Sequence, residues 1–290
     1  MKIAKVIGKI LLCSVAFVVG TVVSGMVSVG MGLPQMHVPA GTTEQALFLA
    51  LVLSTPVLVV GIAPIASGLG RSFAARCAAI FAILYVVFLV NTIEAAKFSN
   101  MITVPLWVMF VHYLIPCVLT ALTAAWCFGS KEAPLGFPKF TPAGWAWRVA
   151  VAWVAFPFIY LFFGACIAPI VVPYYNAGVA GLRIPSMSVI LQTQMLRSPM
   201  LLVASLPLVA LWTRSRRSLF LALGVVHACL VGIYGLTQAT FFPMVLRVTH
   251  SIEITFDSFA YAAVLVLLFT AKKSVGEKQP DLTKAAGAAK

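Results

Sequence analysis

His250, Glu253 and Asp257 stand three and four residues apart in the segment HSIEITFD. On a helix that spacing places an imidazole and two carboxylates on one stripe. A second segment, NTIEAAKF at 91–98, has a similar order of polar group, hydroxyl, isoleucine and glutamate, with Asn91 and Glu94 three apart on one face. His112 lies in a third apolar stretch, at a depth near that of Asp257. Carboxylates and imidazoles on facing helices suit two chemistries. They bind a divalent cation through oxygen and nitrogen, with His250, Glu253 and Asp257 as the expected ligands. They also pass protons along a chain of titratable groups. Asn91, Glu94, His112, His250, Glu253 and Asp257 are therefore the candidate ion-binding, substrate-binding or proton-relay residues, provided that their segments meet. The plainer alternative is structural: His250 and Glu253 cap or orient a helix at the water interface, and nearby Lys97 and Arg247 neutralise the acids.

The elements that must position these groups follow from composition. Of 290 residues, 62% are hydrophobic and 9% charged, and the mean hydropathy is +1.05. A soluble domain is near 45–50% apolar and about 25% charged, so an ordinary globular fold is excluded. The chain reads as all-α, a polytopic helical membrane protein with eight spans at 6–31, 46–69, 77–98, 102–128, 145–172, 187–212, 219–241 and 248–271. Glu94, Glu253 and Asp257 are three of only seven acids, and all three fall inside spans. At membrane depth an ionisable group costs at least about 2.5–3.5 kcal/mol on insertion scales, so it is expected to face the protein interior.

The net charge of +13 does not indicate nucleic acid here, because the spans divide it unevenly. Sixteen of the 20 Lys and Arg fall on the side of the N-terminus; Lys97, Arg183, Arg197 and Arg247 fall on the other. That asymmetry predicts an inner-membrane protein with both termini cytoplasmic. Lys2, Lys5 and Lys9 before a long apolar run resemble a signal peptide's start, but the run is too long for one and is read as an uncleaved first span. The tail at 272–290 is polar, lacks aromatics and is expected to be disordered.

Shifting the chain by 143 residues superposes Leu53–Ser72 on Leu196–Ser215 with seven identities in twenty positions. Pro56 and Pro64 then meet Pro199 and Pro207, and Arg71 meets Arg214. The match predicts two parallel four-helix units, 1–129 and 145–271, joined by a cytoplasmic linker at 130–144. The four prolines are expected to break or bend spans 2 and 6, either at a transport site or merely in shaping the packing.

Gln192, Gln194 and Arg197 make the outer half of span 6 polar; it lines a cavity, or 184–197 is an interfacial segment. Ser24, Ser28 and Gly32 form a helix-contact face. The six cysteines lie in apolar runs without a CxxC pair, which argues for buried hydrophobes over a disulfide framework. His112 and His227 differ in depth, so haem is not expected, and His37 reads as a solvated loop residue. The chain lacks phosphate-loop, GxSxG and HExxH motifs, and the paired glutamates of CAAX-type intramembrane proteases. Three functions stay open. The first is a small-solute or ion permease using the intramembrane acids. The second is a membrane-embedded, metal-assisted enzyme acting on a lipid or peptide near the outer face. The third is a non-catalytic subunit of a membrane complex, which would have membrane-protein partners besides the bilayer.

Overall fold

The computed structural model describes residues 2–35, 42–100, 102–130 and 132–270. His37, Lys131 and the tail at 272–290 lie outside the described residues. Eight helices are long and apolar enough to cross a membrane. They are α1 (Lys2–Gly30), α2 (Glu44–Gly68), α3 (Phe73–Phe98), α4 (Leu106–Phe128), α5 (Pro142–Asn176), α6 (Met187–Ala210), α7 (Arg216–Gln238) and α8 (Met244–Phe269). The protein is a multi-pass membrane protein, and every span predicted from hydropathy ends within a few residues of a helix end.

Local chemistry sets those ends. Thr43, Ser72, Thr141 and Ser215 precede α2, α3, α5 and α7, and each hydroxyl accepts from an amide of the first turn. This satisfies one of the orphan donors there. At the other ends, cations meet orphan carbonyls, where the helix dipole also favours positive charge. On the face shared with the N-terminus, Lys9 and Arg76 donate to Cys127 and Ala125 of α4. Arg148 and Arg216 donate to Leu268 and Val266 of α8 at 2.9 and 3.2 Å, and Arg214 to Ser67 of α2. On the opposite face Arg183 donates to Lys97 O of α3 and Arg247 to Leu236 O of α7, at 3.1 and 2.7 Å. Many basic residues of this chain are thus helix C-caps.

Helix α1 packs on α2 and α4, and α3 on α4; likewise α5 packs on α6 and α8, and α7 on α8. The two sets are joined where α2 meets α7 and α3 meets α6. One apolar core runs through the bundle, with Leu58, Ile62, Ile83, Leu208, Leu223 and Val226 fully buried. Between helices, packing relies on small residues, as it must where lipid offers no hydrophobic gain. A Cβ on Gly61 would overlap Cys229, and one on Gly224 would overlap Phe259. Ser24 and Ser28 lie buried on α1, and Ser24 donates to the His112 carbonyl of α4 at 2.6 Å; Gly32 lies beyond the helix end in open space.

The joint between the sets is most compact at the N-terminal face. Gly70 N donates to Leu211 O at 2.8 Å and Thr213 N to Gly68 O at 3.0 Å, around the isolated bridge of Leu69 and Trp212. A shift of 143 residues carries each of these two bonds onto the other. Trp212 is buried directly against Gly68, whose added Cβ would overlap the indole ring. Gly68→Val is therefore expected to lower stability by about 1–3 kcal/mol through overpacking, read as a lower midpoint in thermal unfolding of the detergent-solubilised protein.

The prolines do not break their helices. Pro56 and Pro64 lie inside a continuous α2, and Pro199 and Pro207 inside a continuous α6. Pro116 in α4 and Pro157, Pro169 and Pro173 in α5 are accommodated in the same way. Side chains of neighbouring helices take up carbonyls that the missing amides free: Ser24 donates to His112 O, four residues before Pro116, Ser198 to Trp153 O before Pro157, and the Trp153 indole to Met195 O before Pro199. This is the usual means by which proline is tolerated in membrane helices. Residues 184–197 do not form an interfacial segment, since α6 begins at Met187 and runs unbroken.

Candidate functional site

A cavity of about 380 Å³ lies in the half of the bundle away from the N-terminal face, between α3, α5, α6, α7 and α8. Its size is that of a small-molecule site. Two connecting segments cross near its mouth. Ser99 after α3 bridges to Leu182 before α6, through Asn100 N to Gly181 O at 3.0 Å and Arg183 N to Phe98 O at 2.9 Å. Gly181, with φ +77°, takes a left-handed conformation that a side chain would strain.

The most buried charged side chain of the site is that of Arg197 on α6, which is 1% exposed. It is ion-paired with Glu94 of α3 and stacked over the Phe156 ring of α5 at 5.9 Å. Gln194, one turn earlier, completes a triangle: its amide nitrogen donates to Glu94 Oε1 and its oxygen accepts from Arg197, both at 3.1 Å. A buried arginine costs least when its fork is bonded to a carboxylate and further acceptors, as here. The triad ties α3 to α6. Arg197 Nε still has no partner.

Opposite, α8 presents the stripe expected from its spacing. His250 Nδ1 lies 2.7 Å from Glu253 Oε2, and His250 Nε2 lies 3.3 Å from the Tyr175 hydroxyl of α5. Asp257 follows one turn on, about 6 Å deeper by helical rise. It is 8% exposed, lines the cavity, and its Oδ1 has no hydrogen-bond partner. At the far wall, His227 of α7 is held through Nε2 by Ser205 at 3.0 Å, which leaves Nδ1 without a partner. Directly after it, α7 widens into a π turn at Cys229–Ile233. Asn91 donates to the Leu230 carbonyl in that turn at 3.0 Å, while Asn91 Oδ1 is unpartnered. Such turns are frequent at functional sites because they re-aim backbone and side chains.

Of the candidates read from sequence, Asn91, Glu94, His250, Glu253 and Asp257 line this one cavity. His112 does not: α4 packs against α1 and α3, and none of its residues lines the cavity. Helix boundaries account for part of the difference. His112 sits six residues past the start of α4, whereas Asp257 sits thirteen past the start of α8. The divalent-cation set also fails to assemble. Among the described residues no group of three His, Cys, Asp or Glu side chains is placed to hold a metal ion. His250 and Glu253 bond to each other, and Asp257 is a full turn away. Lys97 and Arg247, the expected counter-ions, instead point to solvent and to the α7 carbonyls respectively. Arg197 takes their place. Gln194 is buried with it, while Gln192 is exposed on the opposite side of α6.

Tyr160, Tyr175 and His227 belong to the lining and were not singled out as site residues by spacing. Tyr160 and Tyr175 lie on α5, whose nearly uninterrupted hydrophobicity marks no face. His227 was visible as a polar residue in an apolar span, the same signal that marks Glu94. The six cysteines are free thiols, and Cys13, Cys117 and Cys229 are buried. Comparison with protein-family models, curated proteins and solved structures found no match to this chain.

Proposed function

We propose that the protein is a permease for a small solute or ion, built from two parallel four-helix units in an inner membrane with both termini cytoplasmic. The observation that carries this reading is the cavity. It is enclosed by five helices at membrane depth and holds buried polar atoms of Asn91, Arg197, His227 and Asp257 that have no partner in the protein. Unpaired buried polar groups each cost about 1–3 kcal/mol, so a cluster of them among the residues around one cavity is the kind of cost that a bound ligand or ordered water offsets. The walls come from both sets of helices, α3 from one and α5 to α8 from the other, as expected of a site at a repeat interface. The charge asymmetry between the two faces supports the orientation.

Sealed proteoliposomes loaded with a pH-sensitive dye, and challenged with proton and solute gradients, test the reading. Wild-type vesicles are expected to dissipate at least one gradient faster than protein-free vesicles, and Asp257→Asn vesicles to behave as protein-free ones. Equal rates in all three would overturn it.

A further inference from the structure

We propose that the cavity takes a monovalent organic cation, an ammonium group on an apolar body; this rests on the cavity being the substrate site of the permease. The lining carries one basic and three acidic side chains, those of Arg197, Glu94, Glu253 and Asp257. Arg197 and Glu94 are bonded to one another and offer no net charge. The remaining cations of this half are turned elsewhere: Arg183 and Arg247 cap helix carbonyls, and Lys97 is exposed. What is left is Glu253, shared with His250, and Asp257, 8% exposed with one oxygen unpartnered. An anion would meet two acids and no free cation. A neutral solute offers the Asp257 carboxyl no counter-charge at membrane depth, where one is most needed. A cationic ligand is the one that meets carboxylates here without meeting an unpaired positive group.

The surroundings favour an organic cation over a bare metal ion. Hard cations need about six oxygen ligands, and no group of three metal-binding side chains assembles among the described residues. The cavity is instead walled largely by apolar and aromatic side chains, Phe156, Tyr160, Phe241 and Phe242 among them. Ring faces attract ammonium groups, more so when desolvated.

A second feature accommodates an apolar body. A groove of about 270 Å³ runs between α5, the start of α6 and α8, and shares Tyr160, Tyr175, His250 and Glu253 with the cavity. Its outer walls include Ile184 and Met187, both exposed, so it reaches the surface of the bundle. Gly164 forms the junction, where an added Cβ would stand 3.5 Å from Glu253 Oε1. An ammonium lodged at the acids therefore has an apolar channel beside it, leading toward lipid.

The test uses the full chain in phosphatidylglycerol nanodiscs, titrated by calorimetry with 2-phenylethylammonium and, separately, with 3-phenylpropionate. Saturable one-to-one binding is expected for the ammonium and none for the carboxylate. Asp257→Asn and Glu253→Gln are each expected to weaken binding at least about tenfold, the effect of deleting about 1.4 kcal/mol of interaction. Gly164→Leu is expected to weaken it by closing the junction, with cooperative thermal melting showing that each variant is folded. Equal binding of both probes overturns the proposal, as does absence of ammonium binding to the folded wild type or unchanged affinity in folded Asp257→Asn. Loss of binding when phosphatidylethanolamine is added also overturns it, since the lipid's own ammonium would then be the occupant. Ammonium binding without ammonium flux in proteoliposomes ends the permease reading and leaves the site standing. Flux of another solute without ammonium binding does the reverse.

Discussion

Arg197→Met is expected to destabilise the protein by about 3–5 kcal/mol, because it strands Glu94 as an uncompensated charge inside the bundle. The guanidinium is almost completely buried and reaches both Glu94 and the Gln194 amide oxygen. Removing it costs Glu94 its counter-ion and Gln194 one of its two bonds. The pair itself need not stabilise the fold, since replacing both members of a buried ion pair with apolar groups is often neutral or better. The double variant Arg197→Met with Glu94→Met is therefore expected to regain most of the loss. Recovery should be complete only with Gln194→Leu, because Gln194 otherwise keeps two unmet polar atoms. Thermal or denaturant unfolding of the four proteins in one detergent reads this. A single variant as stable as wild type, or a double variant no better than the single, would show that the triad does not hold α3 to α6.

Asp257→Asn is expected to act in the opposite sense: flux in proteoliposomes falls at least about tenfold, the loss of an interaction worth about 1.4 kcal/mol or more, while the folded state is retained. Asp257 Oδ1 makes no hydrogen bond within the protein, so asparagine deletes no bond of that atom. Ionising a carboxyl at the helix centre costs about 2.5–3.5 kcal/mol, a cost that the isosteric amide never incurs. Unchanged or raised thermal stability with lost flux is the combination expected of a group kept for its ligand. Arg197 and Asp257 line the same cavity, yet one is bound by the protein and the other is not. Measuring stability and flux on both variants separates the scaffold of the site from its working group.

Much of this was legible in the chain, for reasons that can be named. Hydropathy placed eight spans because membrane depth admits few charges, and the helix ends are then marked by Thr43, Ser72, Thr141 and Ser215. The same scarcity made Glu94, Glu253 and Asp257 conspicuous, and helical spacing placed His250, Glu253 and Asp257 on one stripe. Pairing across helices was less legible. Lys97 and Arg247 stood at the expected level for neutralising the acids, but level along the membrane does not say which way a long side chain turns. Arg247 found carbonyls at the end of α7, at 2.7 and 3.0 Å. Arg197 met Glu94 across 103 positions of chain, which no local spacing encodes.

His112 and the four prolines show the same limit. A histidine in an apolar span looks alike whether its helix borders the cavity or, as with α4, packs against α1 and α3. A proline deprives a helix of one bond, but whether the helix breaks depends on which groups take up the freed carbonyl.

Residue chemistry read along the chain is enough to set the fold class, the number and bounds of the spans, and which acids lie at membrane depth. These follow from the cost of exposing polar atoms to lipid, which acts residue by residue. Tertiary structure alone decided that Glu94 is spent on Arg197, that His250 and Glu253 bond to each other rather than joining Asp257 around a metal, and that Asp257 faces a cavity with an oxygen unmet. Those outcomes depend on which helices are neighbours, and neighbours are chosen by packing over the whole bundle.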